Sequence, residues 1–79
     1  MALEYLLQVL RGVDDEIDFE NETALVDDGL LDSLELLKLI AALDDAYGIR
    51  IQTASIEPEN FNSACAIYAL VMRYREKEK

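Results

Sequence analysis

The sequence predicts an all-α protein, a small four-helix bundle with three long helices, one short helix and a long first loop. Three observations lead to this prediction. Apolar residues recur at the helical spacing i, i+3, i+4 and i+7 through most of the chain. No alternating pattern typical of a strand lasts for more than a few residues. The 79 residues suffice for one domain, 1–79, and leave no room for a second core.

The first helix is expected over about residues 2–11, with Gly12 as its C-cap. Its apolar positions have helical spacing: Leu3, Leu6, Leu7 and Leu10. The connection that follows, residues 12–32, is long and acidic. A long loop in a small domain is usually either packed down or functional. Apolar residues interrupt this loop throughout, which predicts that its own side chains pack it down: Ile17, Phe19, Leu25, Val26, Leu30 and Leu31.

The second helix is predicted over about residues 33–47 and ends at Gly48. Asp32 and Glu35 have the spacing of a capping box, with aspartate as the cap. Ser33 then takes the first helical position, with its hydroxyl turned outward. The predicted core row is Leu36, Ile40, Leu43 and Tyr47, widened by Leu37 and Leu39. The leucines around Ser33 are also expected to be mainly core residues: Leu30, Leu31, Leu34 and Leu37.

The remainder of the chain predicts two further helices. A short extended piece, residues 49–53, leads to a short helix with Pro58 at its first position. The last helix is expected from about Ser63 to Tyr74. Its apolar spacing repeats that of the first helix: Ile67, Leu70, Val71 and Tyr74.

Composition narrows the classes of function. The net charge is −10, and residues 1–72 carry fifteen acidic against three basic residues. Such a surface repels nucleic acid and anionic lipid, attracts basic proteins, and favours a monomer. No segment approaches the roughly 18 apolar residues of a membrane span. Cys65 is the single cysteine, so no intramolecular disulfide can form; we expect a buried, unreactive thiol and a cytoplasmic protein.

An enzyme is not expected. The chain has no histidine, which removes the commonest general base. Ser33 does not begin a Ser-x-x-Lys motif, because position 36 is leucine. A calcium loop read from Asp18 places Thr23 where glycine is needed and Gly29 where glutamate is needed. No metal site is predicted.

Ser33 has two interpretations. A serine before a leucine-rich helix is most often only part of the helix start. However, the first amides of a helix lack intrahelical partners and favour negative charge, so a phosphodiester on this hydroxyl would be well tolerated.

The chain resembles the acyl carrier protein superfamily, which includes peptidyl and D-alanyl carriers. The resemblance covers nearly the whole chain. It includes the order of the helices and the acidic character of the second helix. It rests above all on Asp32-Ser33-Leu34 following Asp-Asp-Gly-Leu-Leu. The segment 56–61, Ile-Glu-Pro-Glu-Asn-Phe, is similar to the one before the last helix in freestanding peptidyl- and D-alanyl-type carriers.

This resemblance implies that Ser33 carries 4'-phosphopantetheine through a phosphodiester, installed by a magnesium-dependent phosphopantetheinyl transferase. The thiol of the arm would hold acyl or aminoacyl groups in fatty acid, polyketide or nonribosomal peptide biosynthesis. The implied partners are that transferase, an acyl- or aminoacyl-loading ligase and a downstream acyltransferase or synthase. Some of the leucines near Ser33 would shield the tethered chain.

The acidic face of the second helix adds a docking hypothesis. Glu35, Asp44 and Asp45 are expected to contact basic partner proteins rather than to stabilise the fold. Lys38 occupies a position that is often acidic in fatty-acid carriers. The alternative to a carrier is an unmodified α-helical interaction module that docks basic partners.

Overall fold

The computed structural model describes residues 2–77 and confirms the all-helical fold. The four α-helices are α1 (Ala2–Val13), α2 (Ser33–Tyr47), α3 (Pro58–Phe61) and α4 (Ala64–Lys77). A 3-10 helix, Thr53–Ser55, lies between α2 and α3. Helix α1 packs against α2 and α4, α2 also contacts α4, and α3 packs against α4. No helix in this part of the chain is long and apolar enough to cross a membrane.

The core is built from one stripe of each long helix together with side chains from the connections. The long loop between α1 and α2 contributes three buried residues, Phe19, Leu25 and Leu31, so it is packed down as predicted. The segment after α2 contributes Ile49 and Ile51. The buried residues of the helices are Leu6, Leu7, Leu10, Leu39, Ile40, Leu43, Phe61, Ala64, Ile67, Leu70 and Val71.

Helix α1 continues past the residue predicted to cap it. Gly12 lies inside the helix and has no positive φ, whereas Gly29 and Gly48 do. The Asp14 amide still donates to the Leu10 carbonyl at 3.1 Å. Val13 packs partly buried against the core, and this contact favours one more helical residue after the glycine. The prediction of a C-cap at Gly12 was therefore wrong.

Helix α4 runs from Ala64 to Lys77, three residues beyond the predicted end. Ser63 caps its start, since the Ser63 hydroxyl accepts the Ala66 N–H at 3.1 Å. Near its end, the Arg75 guanidinium lies 5.9 Å from the centre of the Tyr47 ring. This cation–π contact ties the final turns of α4 to α2.

Cys65 is exposed, not buried as predicted. The core stripe of α4 passes through Ala64, Ile67 and Val71, at i, i+3 and i+7. Successive helical residues turn by about 100°. The residue after Ala64 therefore leaves the stripe, although its neighbours in sequence are apolar.

The second helix is placed as predicted, but Leu37 is not a core residue. Leu39, Ile40 and Leu43 are buried, whereas Leu37 is 60% exposed. Helix α2 is apolar on more than one side, and only the side that meets α1 and α4 is buried. Its end agrees with the prediction, since Gly48 adopts φ +63° and its N–H donates to the Asp44 carbonyl.

The Tyr47 hydroxyl is buried and has no hydrogen-bond partner among residues 2–77. Its ring meets that of Tyr5 edge-on, with the ring centres 5.5 Å apart. Burial raises the pKa of the Tyr47 phenol above its ordinary value, the phenols of Tyr5 and Tyr68 raise it further, and Arg75 opposes them. The folded state therefore holds the phenolic proton more tightly than the unfolded chain does.

We expect Tyr47→Phe to be neutral or stabilising by up to about 1 kcal/mol at neutral pH, because it removes an unsatisfied buried hydroxyl. With the folded-state pKa raised, the wild type keeps its full stability below about pH 10 and loses part of it as the pH rises further. The advantage of the variant should grow there. Urea unfolding at neutral and alkaline pH measures both effects. A variant that is less stable at neutral pH would contradict the prediction.

Candidate functional site

Ser33 is the first residue of α2, and its side chain is exposed, as predicted. Asp32 is the N-cap, with extended backbone and its Oδ1 accepting the Glu35 N–H at 2.8 Å. The Leu36 N–H donates to the Asp32 carbonyl at 2.9 Å, which closes the first turn. The Ser33 hydroxyl forms no hydrogen bond with the described residues, so it is open to an incoming reactant.

The backbone that leads to Ser33 is held in place two residues earlier. Leu31 is buried in the core, and its N–H donates to the Leu25 carbonyl at 2.9 Å. Gly29 adopts φ +77°, a left-handed conformation that other residues rarely take, and its N–H donates to the Val26 carbonyl at 3.0 Å. This turn reverses the chain so that it can enter α2 at Ser33.

Asn62, between α3 and α4, fixes the other side of this loop. Its Oδ1 accepts the N–H groups of Val26 at 2.9 Å and Asp27 at 3.1 Å. Its Nδ2 donates to the Asp27 carboxylate at 3.1 Å, and its carbonyl accepts the Leu25 N–H at 2.9 Å. The sequence analysis missed this residue. Asparagine in a short interhelical connection favours a turn, but nothing in the sequence indicates a partner 35 residues away.

We expect Asn62→Ala to lower the free energy of unfolding by about 2 kcal/mol, because two backbone N–H groups lose their acceptor. Urea denaturation measures the change. Asn21→Ala is the matched control, since Asn21 makes a single exposed side-chain bond to Asp18 in the same loop. Equal losses in the two variants would show that Asn62 does not hold the loop.

Three of the four leucines near Ser33 are on the surface, which corrects their expected role in the core. Leu30 is 41%, Leu34 63% and Leu37 60% exposed; only Leu31 is buried. Leu34 and Leu37 are three residues apart on α2 and therefore share a face of it. We call Leu30, Leu34 and Leu37 the leucine patch. Exposed apolar clusters of this kind often mark interaction surfaces.

The three predicted docking acids have different environments. Asp45 is exposed, but Asp44 is only partly so, and its Oδ1 accepts the Ile51 N–H at 3.0 Å. Asp44 thus holds the segment after α2, which corrects the expectation that it has no part in the fold. Glu35 is half-buried, and its buried Oε2 finds no hydrogen-bond partner in the part of the chain that the structure describes. That oxygen does not complete the predicted capping box.

The site combines an accessible alcohol with a fixed backbone and an acidic border. Asp27, Asp28 and Asp32 are exposed near the start of α2, and Lys38 is exposed one turn into it. Among residues 2–77, no group of three or more potential ligands could hold a metal ion. The arrangement can present Ser33 to another protein and can attract basic surfaces.

Comparison of the chain with protein-family models, with curated proteins and with solved structures found no match, so the family is not established by similarity.

Proposed function

We propose that this chain is a carrier that holds acyl or aminoacyl groups as thioesters on a 4'-phosphopantetheine arm attached to Ser33. The observation that carries the proposal is the position of Ser33, exposed at the first position of α2 between Asp32 and Leu34. Two further features support the proposal: the loop before Ser33 is held in place by hydrogen bonds, and the helix after it is capped by Asp32. The implied partners are a phosphopantetheinyl transferase, a loading ligase and a downstream acyltransferase or synthase.

The start of α2 is chemically suited to a phosphodiester. The first amide N–H groups of a helix lack intrahelical acceptors. In α2 the Glu35 N–H already donates to the Asp32 side chain. The amides of Ser33 and Leu34 remain to interact with a phosphate, and the positive end of the helix dipole favours it. When attached, the arm would supply the thiol that carries the acyl group.

Attachment requires no catalytic base from this chain. The Ser33 oxygen would form a bond to phosphorus while the phosphoanhydride bond of coenzyme A breaks and adenosine 3',5'-bisphosphate leaves. The hydroxyl proton would pass to a base of the transferase, since the Ser33 hydroxyl contacts no base among residues 2–77. The role of this chain is to position the Ser33 hydroxyl. Asp32 caps the start of α2, and Leu31 and Asn62 hold the loop that leads to it.

The surface around Ser33 supports brief contacts with several enzymes. The leucine patch offers apolar area, and the acidic border attracts basic partners over a distance that salt shortens. Charge steering of this kind raises association rates more than it raises affinity.

The test is incubation of the purified chain with coenzyme A, Mg²⁺ and transferases of different substrate preference, followed by intact-mass measurement. We expect a gain of one phosphopantetheinyl group, located by peptide mapping on the fragment that contains Ser33. Absence of any gain with every transferase would contradict the carrier function.

The second candidate is an unmodified interaction module, and the leucine patch is the observation that favours it. In that case the chain would gain no mass. It would bind a basic partner in an interaction that Leu34→Ala and Leu37→Ala weaken and Ser33→Ala leaves unchanged.

A further inference from the structure

A groove of about 680 Å³ lies between the segment after α2 and the two helices α3 and α4. This volume falls within the range of small-molecule sites in proteins. Five of its lining residues bear on what it can bind: Arg50, Arg73, Glu57, Glu59 and Tyr74.

Hydrogen bonds join the segments that line the groove. The Tyr74 hydroxyl, on α4, accepts the Gln52 N–H at 3.0 Å and lies 2.6 Å from the Ser55 hydroxyl. The Asn60 Nδ2, on α3, donates to the Ser55 carbonyl at 2.9 Å. Three separate parts of the chain therefore fix the shape of the groove before any ligand arrives.

Neither arginine of the groove forms an ion pair with a described residue. Arg50 has neither an ion pair nor a hydrogen bond within the described part of the chain. With the described residues, the Arg73 side chain makes one long hydrogen bond, from Nη2 to the neutral Asn60 Oδ1 at 3.4 Å. By contrast, Arg11 is paired with Glu20 at 3.2 Å. In a protein with seven basic residues and a net charge of −10, two unpaired guanidinium groups thus line one groove.

We propose that this groove binds a small molecule through one carboxylate or phosphate group, held by Arg50 and Arg73. A planar guanidinium can donate two parallel hydrogen bonds to either oxyanion, and such charge-assisted bonds are stronger than neutral ones. The half-buried Tyr74 side chain lines the α4 side of the groove and can contact the body of the ligand. Glu57 and Glu59 repel polyanions, so the preferred ligand carries one oxyanion and an ammonium group at its other end.

This site is separate from Ser33. The fifteen residues of α2 span about 21 Å from Ser33 to Tyr47, and Arg50 lies three residues beyond that end. The proposed ligand site therefore does not rest on the carrier function. Either the ligand site or the carrier function can be disproved without affecting the other.

The experiment is a titration of the ¹⁵N-labelled chain, followed by NMR at constant ionic strength. Four probes separate the alternatives: inorganic phosphate and acetate as simple anions, phosphoethanolamine and β-alanine as their zwitterionic counterparts. We expect saturable shifts of the Arg50, Gln52 and Tyr74 amides, larger affinity for a zwitterion than for its matching anion, and unchanged binding in Ser33→Ala. Comparison of the phosphate and carboxylate pairs identifies the preferred group.

Matched variants decide whether the arginines are responsible. Arg50→Gln and Arg73→Gln should each weaken binding at least about fivefold, since each removes a charged hydrogen-bond donor. Arg11→Gln changes the net charge equally but lies outside the groove, and it should change affinity by less than about twofold. Shifts that never saturate, or equal losses in all three variants, would overturn the proposal and leave only a response to overall charge.

Discussion

Ser33→Ala is expected to abolish modification by a phosphopantetheinyl transferase completely while leaving the fold intact. The loss should be all-or-none, because the hydroxyl oxygen is the atom that would bond to phosphorus. Stability should change by no more than about 0.5 kcal/mol, since the side chain is exposed at the first helical position and the cap is provided by Asp32. Intact-mass measurement and a thermal melt of the same samples give both results.

Thr23→Ala is the matched control for this experiment. Thr23 carries an exposed hydroxyl in the loop that leads to α2, but it is not at a helix start. This variant should be modified at the rate of the wild type. A mass gain that persists in Ser33→Ala would place the attachment on another residue and contradict the proposed carrier site.

The second large effect concerns the long loop. Leu25→Ala is expected to lower the free energy of unfolding by about 2–5 kcal/mol, because Leu25 is completely buried and its loss leaves a cavity. In a domain of this size that corresponds to a fall in Tm of at least about 8 °C. Urea and thermal unfolding measure the change.

Leu30→Ala supplies a control with the same residue type, the same substitution and the same loop. Leu30 is 41% exposed, so its truncation should cost less than about 1 kcal/mol. It should instead slow modification of Ser33, because it removes part of the leucine patch. If Leu25→Ala and Leu30→Ala were equally stable, the loop would not be part of the core.

Local sequence chemistry determined both ends of α2 and the start of α3. An aspartate cap three residues before Glu35 predicted the start of α2 at Ser33, and Gly48, the left-handed residue, predicted its end. Pro58 predicted the start of α3 for the same kind of reason. These signals depend on hydrogen bonds and backbone angles within one turn, so no distant contact was needed to interpret them. Gly12 shows the limit, because packing of Val13 extended α1 through it.

Only the tertiary structure decided which apolar residues are buried. Helix α2 is leucine-rich on several sides, and spacing alone does not distinguish Leu36 and Leu39 from Leu34 and Leu37. The packing of α1 and α4 buries Leu39 fully and Leu36 partly, and it leaves Leu34 and Leu37 exposed near Ser33. The same effect exposes Cys65, whose neighbours in sequence are apolar.

The sequence by itself thus determined the helical fold, the position of Ser33 at a helix start and the acidic character of the surface. The tertiary structure decided the leucine patch, the hydrogen bonds from Asn62 to the loop and the placement of Arg50 and Arg73 along one groove. Asn62 and its Val26 partner are 36 residues apart. Such pairings arise from chain packing, which depends on all the helices together and leaves no local pattern at either residue.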